Sequence, residues 1–273
     1  MTTLAYRKPG FTLLELLVVV AVVALLLAIL LPSLGAARRE GMAAACGARL
    51  RELGHAMQLY ANDYDGRTVP LAYWSFETIG TGPVVYWWGT NETKKIDHEK
   101  GFIWPYLQTP PGNGSVFECP EQPWGSYRPQ GAAKSVTSTY GYNGYYLSPK
   151  HTPAWGFSIG HRPWLSLSKV KDAARVFAFA DTAIDLGGAA PFNNALLDPP
   201  ELFFAGSWSP NSNPTTSFRH RGKTQAVHVD GHVGRYAAER PWLTSAHFMI
   251  GSVRQNNGPH YVPDWQNWSP PPS

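Results

Sequence analysis

Apolar and polar positions are distributed very unevenly along this chain. From Phe11 to Leu31 every side chain is apolar except Thr12 and Glu15. At 1.5 Å per residue a helix over that run spans roughly 30 Å, the hydrocarbon thickness of a bilayer. The apolar residues surround such a helix instead of marking one stripe, which argues against a surface helix of a soluble core. Beyond Pro32 the pattern changes. Met42, Cys46, Leu50, Leu53, Met57, Tyr60 and Tyr64 recur at spacings of three and four, with Arg38, Arg39, Arg51 and Glu52 off that stripe. The two patterns together predict one helix from Thr12 to about Asn62, half in lipid and half docked on a head. Asn62-Asp63-Tyr64-Asp65-Gly66 ends it, with Pro70 behind. Gly41, Gly47 and Gly54 each weaken such a helix by about 1 kcal/mol relative to Ala, and so point to close packing or bending.

Period-two patterning appears only later. Arg175–Asp181 reads as a short buried strand ended by an acid. Thr224–Val229 and His232–Tyr236 read as two strands about Asp230-Gly231, the signature of a two-residue type I′ hairpin turn. Between the helix and these strands the patterning is weak. Gly101–Leu107 reads as a short helix or turn, Val116–Pro120 as a short strand, and Thr139–Leu147 as an edge strand or aromatic-walled loop. The tail from Asn256 to Ser273 reads as an extended strap or a frayed end. The expected fold class is α+β: a long N-terminal helix on a loop-rich antiparallel β-sheet head. The expected divisions are 1–10, 11–31, 32–64, 65–255 and 256–273: leader, transmembrane helix, amphipathic continuation, head and tail.

Composition adds a few bounds. The 273 residues include 24 Pro, 26 Gly and 11 Trp, which suits a loop-rich β head. Removing residues 1–10 takes two of the 23 basic residues and none of the 19 acids, so the formal charge falls from +4 to +2. No basic stripe interleaved with aromatics is present, so a nucleic-acid partner is not expected. Arg7 and Lys8 beside the apolar run predict a cytoplasmic N-terminus and a head across the inner membrane. A cleaved secretory signal is the competing reading, with Gly35-Ala36-Ala37 after the run. Signal cores are about 7–15 residues long, however, and this one is longer. Glu15 remains to be explained. A carboxylate near the apolar end costs something up to roughly 2.5–3.5 kcal/mol, and chains keep such a residue when it has a partner.

The stretch Lys8-Pro9-Gly10-Phe11-Thr12-Leu13-Leu14-Glu15, followed by its apolar helix, resembles the prepilin signature of type IV pilins and type II secretion pseudopilins. The resemblance implies cleavage after Gly10 by a prepilin peptidase and N-methylation of Phe11. It implies that Glu15 pairs with the terminal amine of a neighbouring subunit, and that Pro32 is the helix-bending proline of such chains. His220, nine residues, then Asp230-Gly231 is similar to the H-X9-DG motif of a bacterial prepilin-like subfamily. Cys46 and Cys119-Pro120 stand where that subfamily has them. Arg49 stands where its C-x-x-N-L motif has Asn.

The remaining candidate chemistry is modest. Asp181, His220, His228, Asp230 and His232 are the one group that suggests a metal, and type II major pseudopilins carry a structural calcium. Two carboxylates and three imidazoles suit calcium poorly and a transition metal better. Against a metal stands plain turn chemistry for Asp230-Gly231, with His220 bonded to a nearby backbone group. Cys46 and Cys119 form a bridge or remain two buried thiols. A bridge would restrict the unfolded chain by roughly 4 kcal/mol in the entropy model. The Trp residues either cover a loop-rich head or stack on sugars and partner subunits. No nucleophile elbow, phosphate loop or carboxylate pair appears, so no catalytic residue and no organic cofactor is expected.

The expected function is a non-catalytic subunit assembled through its N-terminal helix into a type IV pilus or type II secretion pseudopilus. Its partners are prepilin peptidase, other subunits, the inner-membrane assembly platform and the membrane. The alternative is a membrane-held or filament-tip protein whose aromatic head binds polysaccharide or another surface.

Overall fold

A computed structural model describes residues 10–74, 84–90, 96–107, 109, 114–130, 136–149, 164–204 and 207–267. Arg7, Lys8, Trp155 and Trp268 lie outside these residues. Helix α1 runs Leu13–Asp63 without interruption, through Pro32. Proline has no N–H to give, so the carbonyl of Ala28 loses its partner in the helix ladder. The chain divides into two units, Met1–Met42 and Ala43–Ser273.

In the first unit the apolar side chains of α1 are exposed all round, from Leu13 to Leu34. The helix is long and apolar enough to cross a membrane, and none of its apolar window is buried.

The second unit is built on a four-stranded antiparallel sheet in the order β1-β2-β3-β4, with β1 Tyr140–Tyr142, β2 Phe177–Asp181, β3 Lys223–His228 and β4 Val233–Ala237. Tyr140 pairs with Asp181, Tyr142 with Phe179, and Phe179 with Val227, so these residues share one face of the sheet. The α1 segment from Ala43 packs there, burying Ala43, Cys46, Leu50, Leu53, Gly54, Ala56, Met57, Tyr60 and Ala61. The expected stripe is buried from Cys46 to Tyr60, whereas Met42 is only half-buried and Tyr64 is exposed and stacks on Tyr60 at 4.3 Å. A Cβ on Gly54 would stand 2.7 Å from Val227 Cγ2, and one on Gly47 2.8 Å from Gln225 Oε1. These two glycines, one heptad apart, let the helix backbone settle onto β3. The Gln225 amide then donates to the Ala43 carbonyl at 2.7 Å.

Three expectations change. Val116–Pro120 forms turns, not a strand. Thr139–Leu147 is an edge strand only over Tyr140–Tyr142; Gly144–Leu147 turns into a buried helical turn capped by Asn143. At Asp230-Gly231 only Gly231 has positive φ, whereas type I′ needs it at both central residues. The loop is one residue longer: Gly231 N–H closes on the His228 carbonyl, and His228 N–H on the His232 carbonyl. The two-residue turn with both φ positive lies one strand earlier, at Arg221-Gly222, where His220 and Lys223 exchange backbone hydrogen bonds. In the tail, Asn257, Tyr261 and Val262 are fully buried, and the Asn143 amide donates to the Tyr261 carbonyl at 2.9 Å.

Candidate functional site

Two places carry candidate chemistry. The first is the start of α1. Gly10 and Phe11 precede the helix and are exposed, and a Cβ on Gly10 would meet nothing within 4 Å. No packing among the described residues requires glycine there. Thr12 and Glu15 form a reciprocal cap. The Glu15 carboxylate accepts from the Thr12 N–H at 2.9 Å and from its hydroxyl at 2.8 Å, and Thr12 Oγ1 accepts from the Glu15 N–H at 3.2 Å. This is the capping box, two orphan donors of a helix end satisfied by each other's side chains. Its signal, Thr-x-x-Glu before an apolar run, was readable in the sequence and gives Glu15 a role within its own helix.

The second is a buried cluster under the helix. Cys46 of α1, Cys119, Asp181 at the end of β2 and His220 bring one ligand-type atom each to within 4.8 Å of one another. Each arrives for its own reason. Cys46 lies on the buried stripe. Cys119 sits in a loop whose backbone bonds to Thr139, its N–H donating to Thr139 Oγ1 at 2.6 Å. Arg49 reaches the same loop from α1, donating to the carbonyls of Glu118 and, at 2.8 Å, Gly114. His220 is presented by the tight Arg221-Gly222 turn. Its Nε2 lies 3.2 Å from Cys46 Sγ, 3.2 Å from Asp181 Oδ2 and 3.5 Å from Cys119 Sγ. Cys46 Sγ is 3.4 Å from Asp181 Oδ1. Both cysteines are free thiols.

Around these four stand residues that sequence reasoning did not single out. The Gln225 N–H donates to Asp181 Oδ2 at 2.8 Å, and the Arg219 guanidinium lies 3.8 Å from Asp181 Oδ1. Glu121 faces His220 Nδ1 at 3.4 Å. Burial works against a charged Asp181, but Arg219 and His220 outweigh it and hold the carboxyl below its usual range. Burial likewise opposes a charged His220, yet Asp181 and Cys119 push it up to about 10. Burial drives the Cys46 thiol well up; Cys119 is drawn down to about 6, burial being outweighed by Cys46, His220 and Arg219.

The expected group of Asp181, His220, His228, Asp230 and His232 is thereby divided. His220 and Asp230 cap opposite ends of β3, roughly 20 Å apart at 3.3 Å per residue. The nine-residue spacing of the motif is thus a strand's length, and it does not bring His220 and Asp230 together. Asp230 and His232 sit at the exposed hairpin end, where His232 Nδ1 meets Asp230 Oδ1 at 2.7 Å. His228 lies beside them, its ring stacked on His232 at 3.9 Å.

Residues 6–31 match the model of the prokaryotic N-terminal methylation motif. No curated protein and no solved structure matches the chain. A motif of this kind implies processing by a prepilin peptidase and assembly with other pilin-like subunits. Heading a long apolar helix with no buried side chain over its membrane-length part, the motif gives this chain a prepilin-like N-terminus.

Proposed function

We propose that this chain is a non-catalytic filament subunit, cleaved between Gly10 and Phe11, N-methylated on Phe11 and assembled through α1 into a type IV pilus or type II secretion pseudopilus. The observation that carries this reading is the methylation motif on residues 6–31. The structure adds two supports. Gly10-Phe11 is exposed and precedes the first helical residue, as a processing enzyme requires. A Cβ on Gly10 would also meet no described residue within 4 Å, which suits a glycine read by a processing enzyme. The apolar surface from Leu13 to Leu34 suits lipid first and like helices afterwards, and the Glu15 carboxylate at its end suits a neighbouring Phe11 amine in a low-dielectric setting. In this reading Arg7 and Lys8 remain cytoplasmic and the unit from Ala43 lies in the periplasm or on the filament. Trp87, Trp88, Trp104, Trp124, Trp164, Trp208, Trp242 and Trp265 are buried or half-buried, which favours rings that cover the head over an exposed sugar platform.

Mass spectrometry of the mature N-terminus tests the proposal. A methylated Phe11 as first residue is expected. A start near Ala37 would identify a secretory signal and overturn it.

A further inference from the structure

We propose that Cys46, Cys119, Asp181 and His220 form a buried tetrahedral zinc site that ties α1 to the head. The geometry carries it. Zinc bonds of about 2.3 Å to sulfur and about 2.0–2.2 Å to nitrogen or oxygen put tetrahedral ligand atoms roughly 3.4–3.8 Å apart. Approaches of 3.4 and 3.5 Å within the cluster lie in that range and two of 3.2 Å lie slightly below it, with Asp181 offering Oδ2 to His220 and Oδ1 to Cys46. Four separate segments converge here: the helix, the 114–130 loop, the end of β2 and the turn into β3. A hydrogen-bond network accounts for this arrangement less well. His220 Nε2 has at most one proton, yet three acceptor-type atoms crowd it at nearly equal distances. A single cation between the four atoms serves them all.

The surroundings complete the site as metal sites are completed. A ligating imidazole commonly gives its second ring N–H to a carboxylate, and the Glu121 carboxylate is the acid facing His220 Nδ1, at an ion-pair distance of 3.4 Å and without a formed hydrogen bond. The Asp181 carboxylate is held in place by the Gln225 N–H. Two thiolates and a carboxylate around a dication leave one negative charge, which the Arg219 guanidinium beside Asp181 balances. A disulfide between Cys46 and Cys119 would do less, because it would remove the thiol facing Asp181 Oδ1 without putting a cation in its place, in a fully buried setting.

Elemental analysis of the full-length chain purified in mild detergent tests this, with the intact mass read in parallel. One zinc per chain is expected, lost in Cys46→Ser and in His220→Ala. Because those variants risk misfolding, two further measurements keep the proposal falsifiable. Cobalt exchanged into the unmodified chain should show thiolate-to-metal charge transfer and tetrahedral ligand-field bands. Glu121→Gln, which spares the four ligands, should weaken zinc binding about 10–100-fold. A chain two hydrogens lighter without reductant, a metal-free chain with both thiols reactive, or another metal at one per chain would each overturn the assignment.

Discussion

Thr12 and Glu15 satisfy each other across the first turn of α1, hydroxyl to N–H and carboxylate to N–H. Glu15 therefore serves its own helix before any second subunit is considered. The two roles are separable by chemistry. A capping box accepts Gln in place of Glu, whereas pairing with an amine requires the charge. Glu15→Gln should keep the helix start and lose polymer, and Glu15→Val should lose both. Thr12→Ala should weaken the helix start by about 1 kcal/mol and leave polymer in place. Filament yield in the sheared fraction reads the outcome; normal yield from Glu15→Gln would show that charge pairing does not direct assembly.

Gly54 and Gly47 decide how closely helix and sheet approach. Gly54→Ala would place its Cβ 2.7 Å from Val227 Cγ2, and overpacking of this kind costs about 1–3 kcal/mol. Gly41→Ala meets nothing within 4 Å and should instead help the helix by about 1 kcal/mol. Thermal unfolding of the two variants should shift in opposite directions. Equal shifts would place the Gly54 effect in helix propensity alone.

Arg49 ties α1 to the loop beside it. It spans to two carbonyls, those of Gly114 and Glu118, in the loop that delivers Cys119. Arg49→Ala should cost about 1–3 kcal/mol by leaving these acceptors short of a charged donor. It should also raise the alkylation rate of Cys119 in the folded chain. An unchanged rate would show that Thr139 alone holds the loop.

His228 gives the head a pH dependence of known sign. Burial, with His232 and His260 nearby, holds its pKa down to about 4, against an ordinary 6.5; Asp230 opposes this in part. Tyr236 bonds its Nε2 at 2.7 Å. The unfolded chain therefore binds more protons between these two values, so the stabilising contribution is complete above about 6.5 and is lost as pH falls toward 4. Burial depresses His98 and His260 in the same direction. Denaturant midpoints measured from pH 7 to pH 4 should fall, and less steeply in His228→Gln. An identical slope in the variant would assign the dependence to the other groups that take up protons in this range, among them His98, His260 and Cys119.

Much of this protein was legible from pattern alone. The membrane-length run, its capping signal at Thr12 and Glu15, the stripe from Cys46 to Tyr60 and the strands about residues 177–181, 223–228 and 233–237 follow from short-range periodicity. Such patterns need only neighbours three, four or two positions away. The turns were less legible, because Arg221-Gly222 and Asp230-Gly231 differ in backbone φ and not in any obvious composition. Val116–Pro120 failed as a strand because it has no partner strand among the described residues; its backbone bonds instead to Ser115 and Thr139.

What the amino-acid order determined by itself is the helix, its apolar and amphipathic parts and the methylation motif at its head, all local properties of residues 6–63. Tertiary structure decided which distant groups meet. Cys46, Cys119, Asp181 and His220 are spread over most of the chain, and their convergence depends on the closeness of α1 to β3 that two glycines permit. Strand length then parted His220 from Asp230, although the sequence sets them in a single motif. No one-dimensional pattern encodes such distances, because they are fixed by packing between elements and not by spacing within one.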